Sequence, residues 1–541
     1  MLVILFAVPA PGQCVKGESK FLGTVRTNMH KASLTALAAS LRNMLTIDGL
    51  TDVHIKITDL QTAGSEKIRY GELRLGSNVV LEKYRVGADF WQANHDILDA
   101  EIVGISANYT HSRLIIADFL RHVRNVNKGA LTVLGGTDAT GDPEYYMRIG
   151  ADVVVRGEGE LSFHRLVKAK LMGESFESIP NIYYHDSNSG IIHRNKSTFL
   201  NSQTSFDVER LPVPALDLVD LSKYNDTGEG NPPYPFIRGP FISVETSRGC
   251  AQACSFCATP IAKGRFRFMS SEAIERHLKA FWAFGVRTLL FQEDNVLSRV
   301  HRARDGNSVF PDGRKATIEM FTMAYDMGFN WEFTNGLEFG QFEHKGEIDH
   351  ELINVLFRHE ISNGKARGCY RATMPLENLS DESSRLFRKL KPLGIVRDIC
   401  EAVVASGVPA LSFNLIIGRP QDDERTLALS YKRCQSIKET CLNINKNISI
   451  YFNVYVLSLL PGTVDFRNFK DLLAFDIERD PEVVTFYLGS LQTRYFSPLE
   501  ITQARGTMAT LLNGRALVEN YDENYFLTSH RFERLFGKSY V

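Results

Sequence analysis

The loop SRGCAQACSFCATP, Ser247 to Pro260, holds three of the chain's eight cysteines, Cys250, Cys254 and Cys257. Thiols this close cannot all pair as disulfides, which leaves a metal site, a reactive thiol or chance. Three thiolates can hold three corners of a cubane iron–sulfur cluster and leave the fourth iron open; a purely structural cluster takes four. A structural zinc site also takes four ligands, and no second cysteine pair or nearby histidine completes one. Arg248, Gly249 and Gln252 do not read as core, so packing alone explains the trio poorly. Cys369, in GKARGCYRA, could point into a lumen and donate hydrogen or carry a covalent intermediate; the alternative is a small core residue. Cys400, Cys434 and Cys441 lie in helical text and read as packing.

The elements that must position this loop follow from composition and periodicity. At 541 residues the chain needs several cores. With 62 basic and 63 acidic residues it presents no single-sign field for a nucleic acid or a membrane surface. A small molecule or peptide is therefore the expected substrate. The N-terminal MLVILFAVPAPGQC has no basic residue before its apolar run, and Gly-Gln before Cys14 is a poor processing site. Residues 2–8 read instead as a buried first strand. No other apolar run approaches membrane-spanning length. The protein is expected in the cytoplasm, where clustered cysteines favour metal over disulfide.

From residue 1 to 199, apolar runs such as LVILFAV, EIVGISAN, ALTVLGG and DVVVRGEGE alternate with helical text, HKASLTALAASLRNML and LIIADFLRHVRNV among it. Strands apolar throughout, separated by amphipathic helices, predict a doubly wound parallel sheet that binds ligands beyond its strands' carboxyl ends. Residues 200–240 are rich in proline and glycine and read as a connection. Six further strand-like runs follow over 241–463: FISVETSRGC, RTLLFQEDN, WEFTNGLEF, RATMPLEN, PALSFNLIIG and ISIYFNVYVLSLLPGT. Crossover helices such as SSEAIERHLKAFWAFG and DESSRLFRKL make this a partial (β/α)6 barrel of the TIM type, with chemistry in the loops after its strands. Residues 464–541 are expected to form a small α+β region covering the site.

The cysteine loop resembles the signature of the radical S-adenosylmethionine (SAM) superfamily, with Phe256 as the aromatic before the last cysteine. The resemblance implies a 4Fe–4S cluster on the three cysteines whose open iron chelates SAM. It also implies an external flavodoxin- or ferredoxin-type reductant. Reductive cleavage then gives a 5′-deoxyadenosyl radical that abstracts hydrogen from an unactivated carbon. By the same resemblance Glu293, in Gln292-Glu293-Asp294, contacts the SAM amino group, although a turn or capping acid is an alternative. Glu377, at the end of MPLE, is a second polar contact. Asn414 and Gly418 resemble the fifth strand and its glycine turn beside the adenine, or serve structure alone.

An α/β domain ahead of such a barrel resembles the cobalamin-binding branch, and VLGGTDATGDPEYYMRIGADVVVRGEGE (133–160) looks like that branch's text. Gly135 and Gly136 would admit a ligand tail close to the backbone, with Thr137, Ser106 and Asn108 beside it; a plain tight turn is the alternative. Domains that ligate cobalt by histidine carry Asp-x-His-x-x-Gly after their first strand, and PAPGQCVKGES (9–19) does not. His111 is the remaining candidate near the corrin. The implied function is C-methylation of an unactivated carbon with methylcobalamin, plausibly in natural-product biosynthesis. Ring formation, ring contraction or another non-methylating rearrangement is the alternative.

Overall fold

The computed structural model describes all residues except 19, 23–24, 26–27, 77, 187–189, 198–205, 225–236, 238, 303–306, 380–391, 516–517, 519–526 and 538–541. The expected helix DESSRLFRKL lies outside the described residues.

The first domain is built on strands β1 (Leu2–Ala7), β2 (Ala10–Val15), β3 (His54–Asp59), β4 (Glu66–Arg74), β5 (Val80–Gly87), β6 (Ile102–Ser106), β7 (Leu131–Gly135), β8 (Val153–Val155), β9 (Ile182–His185) and β10 (Ile192–Arg194). Its main sheet has the order β10-β9-β8-β7-β6-β1-β3, parallel from β8 to β3 and antiparallel at β9 and β10. β1 is apolar on both faces because both are covered. Ile4 and Phe6 pack with Ile115 and Phe119 of helix α2 (Arg113–Val126). Val3 and Leu5 pack with α1 (Ala32–Ile47) and α3 (Glu160–Met172) on the other face. The chain reverses direction across the sheet between β1 and β6, the switch point where such sheets open a ligand crevice.

Three strands lie outside the expected series: β2 pairs antiparallel with β5, and β5 with β4, in a separate three-stranded sheet. β2 stands where histidine-ligating domains carry their loop.

The second series is β11 (Phe241–Val244), β12 (Thr288–Phe291), β13 (Asn330–Phe333), β14 (Lys365–Glu377), β15 (Ala410–Ile417) and β16 (Ser449–Val456), paired in chain order and all parallel. Among the described residues β11 and β16 do not pair with each other, so the barrel is open. Alternation sorts its side chains. Val244, Phe291, Trp331, Phe413 and Phe452 join the core under the helices, including α4 (Ser271–Ala283) and α5 (Gly313–Asp326). The opposite parity carries polar groups that bond across strands, Thr373 to Ser412 and Asn453 to Asn414.

Helix α6 (Pro498–Asn513) packs on β16, where Arg505 Nε donates to the Val454 carbonyl at 2.7 Å. The described part of 464–541 is helical, with one isolated bridge pairing Leu473 and Leu491 rather than the strands expected. No described helix is long and apolar enough to cross a membrane. In the connecting segment, Ala215 N bonds to Thr35 O of α1 while Val208, Leu211 and Leu216 enter the barrel's core, so it is packed against both parts.

Candidate active site between the two domains

The cysteine loop leaves β11 through Ser247–Arg248, which pairs antiparallel with Arg267–Phe268. Gly249 makes the turn at φ +81°; a Cβ there would lie 2.7 Å from the Arg265 carbonyl oxygen. The loop is tied to the end of β12. Asp294 accepts from the Gly249 amide at 3.0 Å and from the Thr259 hydroxyl at 2.9 Å, and Ser298 Oγ accepts from the Ala251 amide at 3.0 Å. Cys250, Cys254 and Cys257 are half-buried, whereas the other five cysteines are buried. Donors surround the sulfurs: the Gln252 amide at 3.4 Å, Asn295 Nδ2 at 3.6 Å and Ser298 Oγ at 3.7 Å from Cys250 Sγ, and the Thr259 amide at 3.4 Å from Cys257 Sγ. Donors of this kind surround the sulfurs of cluster-ligating cysteines. Among the described residues no three acidic, histidine or cysteine side chains converge as on one ion. Three cysteines on one loop are the donor set that a cubane cluster with one open iron takes. Phe256 packs beside Leu457, Leu459 and Leu491, anchoring the loop to the segment after β16.

The expected SAM-contacting residues are distributed differently. Glu293 is buried and both its oxygens are engaged. Oε1 accepts from the Thr246 amide at 2.7 Å and from its hydroxyl, and Oε2 from Ser247 and from Arg299 Nη1 at 3.3 Å. Thr246 also lies against Met320 of α5, so Glu293 points to the helix layer, away from the lumen. Its neighbours point the other way: Gln292 accepts from Ser243 on β11 and lines the cavity described below, and Asp294 holds the cysteine loop. The expected role of Glu293 is thus corrected by strand parity, which a motif does not reveal. Glu377 sits buried at the end of β14 with φ +53°, where pairing to β15 shifts register. A non-glycine residue held there stores strain of the kind found at ligand sites. Asn414 accepts from Asn453 on β16 at 2.8 Å. Gly418, at φ +82°, is enclosed by protein; a Cβ would lie 2.8 Å from Ile501 of α6, so its turn serves packing. Cys369 is also corrected. It pairs with Trp331, shares its core, and donates to the Arg371 carbonyl at 3.4 Å. Burial drives its thiol pKa well up, the reverse of an activated cysteine.

A cavity of about 300 Å³ lies between the domains. Ser106, Asn108, Gly135, Gly136 and Thr137 all line it, joined by Gly157 and Gly159 after β8. Asn108 braces the turn, donating to Ser106 Oγ at 2.9 Å and accepting from the Thr137 amide at 3.1 Å. Gly136 has φ +124°, and a Cβ would meet Asn108 Oδ1 at 2.5 Å and the Ala107 carbonyl at 2.7 Å. This glycine-rich cradle at the switch point fits a nucleotide-like tail, as a base-extended cobalamin presents. His111 does not line it. The turn Thr110–Ser112 carries the ring to the C-terminal segment, where Nδ1 lies 3.3 Å from the Val484 carbonyl and burial lowers its pKa.

The opposite wall comes from the barrel: Ser243, Glu245, Arg248, Lys263 and Gln292. Sequence reasoning missed the charges here, although GEGE and SRGC display them. Arg248, two residues before Cys250, donates to Glu160 of α3 at 2.6 Å and to Glu245 at 2.9 Å; Arg267 forks onto Glu158 at 2.6 and 2.9 Å. Burial penalises the Glu245 carboxylate, but Arg248 and Lys263 outweigh this and hold it well below the usual carboxylate range. The turn after β8 is thereby latched to the base of the cysteine loop.

Comparison with known proteins agrees with this layout. Residues 19–167 match the family model described as B12 binding domain, and 244–431 the Radical SAM superfamily. An uncharacterized methyltransferase of Pyrococcus horikoshii is 31% identical over 211 residues, 38% of this chain and 42% of the relative, so the chain spans less than half of that protein. The hopanoid C-3 methylase of Methylococcus capsulatus is 22% identical over 504 residues, 88% of this chain and 84% of its own. A solved radical SAM methyltransferase, TsrM of Kitasatospora setae, shares the fold with a TM-score of 0.63 at 14% identity, over 99% of this chain and 97% of its own. The chain thus carries a B12-binding domain latched to a radical SAM domain, the two parts that make up the cobalamin-binding branch of the radical SAM enzymes, whose members use cobalamin, a 4Fe–4S cluster and SAM.

Proposed function

We propose that this chain methylates an unactivated carbon of a small molecule or peptide. The observation that carries the reading is the apposition of the glycine-lined cavity, through the Glu160–Arg248 pair, to the base of the three-cysteine loop. When bound, the cluster with SAM supplies a hydrogen-abstracting radical and cobalamin supplies a methyl group. The protein's own part is placement. Cys250, Cys254 and Cys257 hold the cluster, and Asp294 fixes their loop. Glu377 and Gln292 would offer SAM polar contacts from their strand ends, and Ser106, Asn108 and the 135–137 turn would hold the cobalamin tail. β2 stands where histidine-ligating domains carry their loop, so residues 9–19 would offer a bound cobalamin no histidine. Asn414 and Asn453 line the lumen with amides, suiting a substrate that carries hydroxyl or amide groups. The two domains in this reading are 1–199 and 241–463, with residues 464–541 covering the site and an external low-potential reductant as partner.

Incubation of the reconstituted chain with reductant, candidate substrates and SAM labelled in its methyl group tests the reading. Label in the product supports it. Product formed without label overturns methyl transfer and leaves a rearrangement.

A further inference from the structure

Cys250 Sγ meets two side-chain donors from the segment after β12. Asn295, 3% exposed, aims Nδ2 at Cys250 Sγ at 3.6 Å, beside Ser298 Oγ at 3.7 Å. Asn295 is held on two sides: its Oδ1 accepts from the Leu297 amide at 3.1 Å, and its Nδ2 also donates to Glu338 Oε2 at 3.3 Å. Glu338 comes from the loop after β13 and is itself 3% exposed. Three neutral amides donate to it: Asn295, Gln252 at 3.0 Å and Gln341 at 3.3 Å. One buried carboxylate thus orients two of the three residues that donate to this sulfur.

We infer that Asn295 and Glu338 set the reduction potential of the cluster from opposite sides. The inference rests on the cluster reading proposed above. A donor at a ligating sulfur draws off charge and stabilises the reduced, more negative cluster, raising the potential. A buried carboxylate close behind repels the added electron in a medium that screens it weakly, lowering the potential. Glu338 is therefore a positioning residue with an electrostatic effect of its own. Ser298 adds to Asn295 from a second direction.

The test is an anaerobic redox titration of the full-length, cluster-reconstituted chain, followed by electron paramagnetic resonance without SAM or substrate, with iron and sulfide counted for each variant. Asn295→Leu should lower the midpoint, Ser298→Ala should lower it by less, and Glu338→Gln should raise it. Loaded variants that keep the wild-type midpoint, or that all move the same way, overturn the inference. A folded Glu338→Gln chain that takes up no cluster also overturns it, because the carboxylate is then required for assembly. If Asn295→Leu fails to load, the Ser298→Ala and Glu338→Gln midpoints decide. A wild-type chain that takes up no cluster fails the cluster reading, and this inference falls with it.

Discussion

The two walls of the inter-domain cavity work by different physics. The first-domain wall is backbone: Gly104, Gly135, Gly136, Gly157 and Gly159 leave space, and Asn108 braces the turn. Selection there is by shape. The barrel wall is charge: Arg248 meets Glu158 and Glu160 across the interface and also pairs with Glu245, which Lys263 holds from the other side. Such a network contributes little net stability when whole, because desolvation offsets attraction, but it fails badly when one partner is removed. The lesson is that the cradle tolerates little added bulk and the latch little lost charge.

Substitutions separate these roles. Cys254→Ala should have the largest effect, abolishing the cluster's absorbance and SAM cleavage to background while leaving cobalamin uptake measurable. Arg248→Met leaves the buried Glu160 and the half-buried Glu245 without their shared cation, so urea unfolding should show a loss of about 3–5 kcal/mol. The same pair gives a pH signature. Glu245, depressed from its ordinary 4.5, contributes stability that is present above that value and lost as pH falls through its lower folded value. Unfolding free energy should hold from neutrality down to the ordinary carboxylate range and fall below it, and Arg248→Met should flatten that acid limb. Gly136→Val forces a side chain onto a φ of +124° against Asn108, at about 1–3 kcal/mol. Corrin absorbance retained after desalting should drop sharply at unchanged iron content; full retention would mean the cradle is not the cobalamin site. Cys369→Ala should be the mildest, costing about 1 kcal/mol in stability with SAM cleavage unchanged. Loss of cleavage by a stable variant would return this thiol to the chemistry.

All six barrel strands were legible because each is a short apolar run ending in a turn, and local periodicity carries that signal. The first domain's parallel strands were legible for the same reason. The β2–β5–β4 sheet was not: APGQCV pairs across 65 or more residues, and its proline and glycine imitate a loop. Which of its two readings Cys369 takes was not legible, because the β13–β14 register slips between Trp331 and Glu332, setting the thiol on the tryptophan's side. No local pattern announces such a bulge.

The sequence by itself determined the two α/β series, the three-cysteine loop and the glycines of the cradle, since spacing, periodicity and backbone freedom are properties of neighbouring residues. Only the tertiary structure decided that Glu293 faces the helices while Gln292 and Asp294 face the site, and that Glu158 and Glu160 reach Arg248 and Arg267. Strand-end parity and charge pairing depend on which distant backbones are brought together, and that is decided by packing rather than by any single stretch of chain.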